Sequence, residues 1–176
     1  MHADLLPLPS PRAAAAPLRL VPAARNAQGP VQNLVLALRR CASISPRLRD
    51  ALLQACAAPR PFRSVARLAA AAGCDRRTLW RDWRQAMGDS HPLRLEDVLH
   101  WLLLARAMEM RAPGRSWGEL ASAVAVHPQT LARFARQFTR RSLRGVSADP
   151  AAASAALERA LIPFFADDIA GRANAA

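Results

Sequence analysis

From residue 30 onward, apolar residues recur at spacings of three and four, the period of helices with one buried face. Val31, Leu34, Val35 and Leu38 open the pattern behind Pro30. A second short helix is predicted from Pro46 to Ala57, with Ser45 as its N-cap and Pro46 in its first turn. Pro59-Arg60-Pro61 then reads as a linker. Nowhere do apolar and polar residues alternate as in a half-buried strand. The expected fold class is all-α.

The segment SVARLAAAAGCDRRTLWRDWRQAMG, Ser64 to Gly88, has the pattern of a helix-turn-helix. Val65, Leu68 and Ala69 share one face of a short helix. Gly73 supplies the left-handed backbone that a tight turn needs. Asp75 caps the next helix, whose buried stripe is Leu79, Trp83, Ala86 and Met87. The pattern recurs 52 residues later, so that Leu131 answers to Leu79 and Ala125 to Gly73. There Ser116 and Glu119 form a capping box, and Leu120, Ala121 and Val124 make the apolar face. Pro128 opens a helix through Leu131, Phe134, Ala135 and Phe138. Ala125 puts a Cβ at a turn that favours glycine. Between the two units, Pro92 to Arg111 carries two apolar stripes: Leu95, Val98, Leu99, Leu102 and Ala105, then Trp101, Leu104 and Met108. A helix apolar on most sides is packed on most sides. It is expected to be the spine joining the two units, ended by Pro113-Gly114.

Four segments follow. Residues 1–29, with five prolines and no clear period, read as a disordered basic arm. Residues 30–58 form a short helical segment, a candidate dimerisation element or the remnant of an upstream domain. Residues 62–145 hold the double helix-turn-helix. Residues 146–176 hold a helix started by Asp149-Pro150 and ended by Pro163, followed by a tail.

Charge separates these segments. The chain has 176 residues and a formal net charge of +12, with 25 basic side chains against 13 acidic ones. All 25 are arginine. Residues 60–145 carry 16 arginines and 7 acids, hence +9, whereas residues 146–176 come to −2. The outer face of the first unit's second helix carries Arg76, Arg77, Trp80, Arg81 and Arg84. Arg76 and Arg77 sit in the first helical turn, where the helix dipole disfavours cations. A phosphate or a base edge accounts for them. The corresponding outward residues of the second unit are Gln129, Thr130, Arg133, Arg136 and Gln137.

The same residues exclude much chemistry. Without lysine there is no phosphate-binding P-loop lysine, no Schiff base and no Ser-x-x-Lys nucleophile. No nucleophile–base pair, His-Glu-x-x-His motif or glycine-rich loop is present, so no enzyme activity is expected. Cys41, Cys56 and Cys74 lack metal or disulfide spacing, as do His2, His91, His100 and His127, and no cofactor or metal is expected. His127 is read as a helix cap, and Arg140 and Arg141 as cations that suit a helix C-terminus. Asp167-Asp168 reads as a solvated pair. Met1 to Leu8 lacks a basic n-region, and Val98 to Ala105 is far shorter than the roughly 20 residues of a membrane span. A cytoplasmic protein in the bacterial nucleoid-associated pool, without a membrane partner, is expected.

The arrangement resembles the AraC/XylS-type DNA-binding domain, in which a long helix joins two helix-turn-helix subdomains. SVARLAAAAGCDRRTLWRDWRQAMG, with Gly88 after its second helix, looks like the first unit, and GRSWGELASAVAVHPQTLARFARQF like the second. The resemblance covers about residues 62–145. It implies transcriptional regulation, with both recognition helices in successive major grooves of double-stranded DNA, and RNA polymerase as a further partner. The implied base-reading positions are Arg77, Trp80 and Arg81, then Gln129, Thr130 and Arg133. Arg77 and Arg81 have the fork that pairs with guanine, and Gln129 the amide that pairs with adenine. Trp80 either meets a thymine methyl or sugar-phosphate edge, or packs on the central helix. Arg63, Arg67, Arg76, Arg84 and Arg136 are expected at phosphates. The alternatives are a helical adaptor, binding a partner or dimerising through residues 30–58, and a truncated regulator that binds DNA nonspecifically.

Overall fold

A computed structural model describes residues 29–88 and 92–166. The predicted arm, apart from Gly29, and the Asp167-Asp168 pair lie outside the described residues. Every regular element among those described is a helix: the protein is all-α. The helices are α1 (Pro30–Arg40), α2 (Pro46–Ala57), α3 (Val65–Ala71), α4 (Arg76–Met87), α5 (Leu95–Glu109), α6 (Trp117–Ala123), α7 (Pro128–Thr139), α8 (Leu143–Ala148), α9 (Pro150–Leu161) and α10 (Pro163–Ala166).

Short polar side chains set most of the helix starts, because each satisfies an amide that the first turn leaves without a partner. Ser45 accepts from the Leu48 amide, Ser64 from Arg67, Ser142 from Gly145 and Asp149 from Ala152. The capping box closes as expected: the Ser116 amide donates to Glu119 at 2.6 Å and the Glu119 amide to Ser116 at 3.2 Å.

The 52-residue repeat holds down to single hydrogen bonds. In the first turn the Gly73 amide donates to the Ala70 carbonyl at 3.2 Å and the Cys74 amide to Ala69 at 2.9 Å. In the second, Ala125 donates to Ser122 at 3.0 Å and Val126 to Ala121 at 2.9 Å. Gly73 has φ +66° and Ala125 φ +57°. The two turns therefore share one geometry, and the alanine adopts the left-handed conformation at a steric cost. A Cβ on Gly73 would meet nothing within 4 Å, so backbone strain alone separates the two residues there. Ala125→Gly is expected to stabilise the fold by about 1 kcal/mol and Gly73→Ala to destabilise it by about as much. Denaturant unfolding of both variants measures this; shifts of the same sign would contradict it.

α5 is the centre of the core. It packs against α1, α2, α3, α6, α7 and α9. Leu95, Val98, Leu99, Trp101, Leu102, Leu104 and Ala105 of the predicted stripes are buried, and so are Leu103 and Ala107 outside them, while Met108 is only half-buried. The Trp101 indole is fully buried and donates to the Leu157 carbonyl of α9 at 2.7 Å. The helix begins three residues after Pro92, where the Arg94 amide bonds to Asp97 at 2.9 Å.

Both ends of the chain depart from the expected division. Val31, Leu34 and Leu38 of α1 and Leu48 and Leu52 of α2 are buried inside this same chain, in one core that runs from Val31 to Phe165. α1 packs on α9 and α10, and α2 on α3 and α4. Asn33 donates to Glu158 at 2.9 Å, and the Val31 amide to Glu109 at 3.3 Å. Residues 30–58 are thus part of the core that carries the helix-turn-helices, not a segment beside them. The boundary drawn at residue 145 falls within α8, a helix that its Ser142 cap signals and the sequence reading passed over. Pro163 ends α9 but also begins α10, whose Phe165 is buried edge-on against Trp83 of α4, centroids 6.3 Å apart.

Candidate nucleic-acid interface

α4 is built with two unlike faces. Leu79 and Trp83 are buried, and the Trp83 indole donates to the Leu93 carbonyl at 3.2 Å. Asp75 caps the first turn: its carboxylate accepts from the Thr78 amide and the Thr78 hydroxyl, each at 2.8 Å. These two bonds hold its pKa below the ordinary carboxylate value. On the outer face Arg76, Arg77, Trp80, Arg81, Arg84 and Gln85 are all exposed and line an open concavity along the helix. Trp80 is 45% exposed, and the Arg84 guanidinium stacks over its ring at 4.6 Å. The pair follows from the i, i+4 spacing, and stacking holds both side chains outward. Gln85 was missed as a candidate, although it lies one helical turn beyond Arg81 on the same face.

The one acid within α4 is turned away from this face. Asp82 is 6% exposed and points at α2. It accepts from Arg47 Nε at 2.9 Å and Nη2 at 3.0 Å, and from the Ser45 hydroxyl at 2.9 Å. The Arg47 bond, helped by Ser45, lowers its pKa despite burial. The outer face of α4 is therefore cationic along its length. Arg76 meets a carboxylate there, Glu96 of α5, at a loose 3.7 Å in an exposed setting that contributes little.

α7 presents a less charged face. Gln129, Arg133, Arg136 and Gln137 are exposed and Thr130 is half-buried. His127 is the N-cap, its Nδ1 accepting from the Gln129 amide at 3.3 Å. The Arg133 guanidinium lies 5.5 Å from the Phe134 ring centre. Gln137 donates to Asp97 at 3.0 Å. Arg76 and Gln137 thus reach consecutive residues, Glu96 and Asp97, in the first turn of α5. Arg140 ends α7 in the left-handed conformation, φ +58°, where Gly88 ends α4 at φ +79°. Arg63, just before α3, and Arg67 within it are exposed.

Behind α7, His100 of α5 stacks on Phe134, ring centroids 4.3 Å apart. Burial pushes its pKa below the ordinary 6.5, with Asp97 opposing and Arg133 adding to the shift. The folded state thus binds the proton less well than the unfolded chain. Stability is full above the unfolded pKa and is lost as pH falls through the folded one. His100→Phe keeps the stack and removes the proton site. Its loss of stability between pH 7 and 5 is expected to be smaller than that of the unaltered chain, as measured by denaturant midpoints. Equal losses would leave His100 without a part in acid sensitivity.

The thiols are packing groups: Cys41 and Cys56 are buried, and burial pushes Cys56 up to about 12. Among the described residues, no three or more His, Cys, Asp or Glu side chains gather as a metal site, and no helix is long and apolar enough to cross a membrane. No family model, curated protein or solved structure matches the chain.

Proposed function

We propose that the protein is a sequence-specific transcriptional regulator of the AraC/XylS type, which binds double-stranded DNA with α4 and α7 as recognition helices in the major groove. One observation carries this reading. The exposed face of α4 gathers four arginines and a stacked tryptophan at the start and along the length of the second helix of a helix-turn-helix, while its only acid is turned inward. Arginine forks suit guanine O6 and N7, and the glutamine amide suits adenine N6 and N7. Arg77, Trp80 and Arg81 would read one half-element, and Gln129, Thr130 and Arg133 the other. Arg63, Arg67, Arg76, Arg84 and Arg136 would contact phosphates and set the register. The protein would act by binding, not catalysis, in the bacterial nucleoid, and RNA polymerase is its protein partner in this reading. A homodimer through residues 30–58 would have to use the polar outer faces of α1 and α2, because their apolar faces are inside.

Selection of bound duplexes from a random pool at physiological salt tests the proposal. Two preferred half-elements about one helical turn apart are expected, with affinity falling steeply as salt rises. Equal affinity for every duplex would leave a nonspecific DNA binder, and absence of binding would overturn the reading.

A further inference from the structure

At the 52-residue offset that aligns the two units, Asp82 stands at a buried position of α4. The equivalent residue of α7 is Phe134, which is buried and stacks on His100. A carboxylate at a buried position of a helix costs stability unless it is fully paired. Here it is paired three times, by the two Arg47 nitrogens and by the Ser45 hydroxyl. Both partners belong to the start of α2, outside residues 62–145. Ser45 also caps α2, so the same hydroxyl ties the N-terminus of α2 to the middle of α4.

Arg47 is half exposed and only Asp82 is buried, and replacing a buried charge pair by packed apolar residues is often neutral for stability, so stability alone explains the arrangement poorly. What it adds is direction. A guanidinium fork on a carboxylate accepts one planar geometry, whereas an apolar contact tolerates sliding. Asp82 directly follows Arg81, so the rotation and register of α4 that satisfy Arg47 also set where Arg77 and Arg81 point. Binding groups must be held to about 0.5 Å of their productive geometry.

We propose that Ser45, Arg47 and Asp82 form a latch that positions α4, and that this latch determines the base preference of the half-element α4 reads. This rests on the DNA-binding reading above. α7 has no counterpart to the latch; its Phe134 stacks on His100 in place of a polar pair. The two half-elements therefore depend on different anchors, and only one of them on residues 45–47.

The test uses the full chain with Arg47→Gln, Arg47→Lys and Asp82→Leu. Asp82→Leu puts an apolar residue where the second unit has Phe134 and guards against simple unfolding. Denaturant curves first fix a temperature at which every variant is folded. Duplex selection is then run at that temperature, with Arg81→Ala marking which half-element belongs to α4. All three variants are expected to relax the α4 half-element and keep the α7 half-element. Affinity for the duplex selected by the unaltered chain should fall about tenfold, the weight of one lost base contact. Arg47→Lys, which keeps the charge but not the fork, should behave like Arg47→Gln. Folded variants that keep both preferences overturn the latch alone, as does an equal loss at both half-elements. An unaltered chain that recovers no preferred sequence overturns the DNA reading and, with it, the latch's role in recognition.

Discussion

Replacing Arg77 and Arg81 together by alanine is expected to lower affinity for the selected duplex by about a hundredfold, from roughly tenfold per lost guanine contact. Both side chains are exposed on the outer face of α4, and neither supports the core, so the fold should be unchanged. Arg81→Ala alone should relax preference at one base pair. Arg67→Ala is the contrast: its side chain is exposed on α3, and its loss should weaken all duplexes alike and reduce the slope of log affinity against log salt by about 1. Titrating each variant against selected and scrambled duplexes at several salt concentrations separates these outcomes. Identical behaviour of the two single variants would defeat the division into base-reading and phosphate-contacting arginines.

The largest effect on stability is expected at Trp101. Its side chain is fully buried in α5 and its indole donates to Leu157. Trp101→Ala should cost about 3–5 kcal/mol through lost burial and the cavity left behind. That approaches the whole stability of an ordinary domain. Trp101→Phe keeps most of the volume and loses the indole bond, so about 1–2 kcal/mol is expected. Denaturant midpoints measure both. A small effect of Trp101→Ala would mean that α9 closes over the site without the indole.

Much of the fold was legible because the signals that made it so are local. The bounds of α2, α4 and α7 follow from residues within one turn of their ends: Ser45 and Pro46, Asp75, His127 and Pro128. The central helix was legible because its apolar residues recur on more than one face. Local reasoning failed where two elements far apart in sequence meet. Nothing near Phe165 marks it as a core residue, because its partner Trp83 lies on α4. The apolar faces of α1 and α2 left a dimerisation element and the remnant of an upstream domain both open, because periodicity announces that a face is buried, not what buries it.

The site divides in the same way. Trp80 and Arg84 lie one turn apart, so their outward placement follows from helical period, and the structure adds the stack between them. Asp82 is different. Along the chain it stands among Arg81, Trp83 and Arg84, and no spacing there marks Arg47 as its partner. Only the fold decides that Arg47 takes it inward.

By itself, the amino-acid sequence determined the all-α class, the 52-residue repeat, the caps of α2, α4, α6 and α7, and which residues of α4 face outward. Each depends on neighbours three or four positions away. Tertiary structure alone decided that residues 30–58 belong to the core, that Ala125 takes the turn geometry of Gly73, and that α4 is held by α2 through Asp82. Those outcomes depend on packing between elements distant in sequence, where one buried contact outweighs a local preference of about 1 kcal/mol.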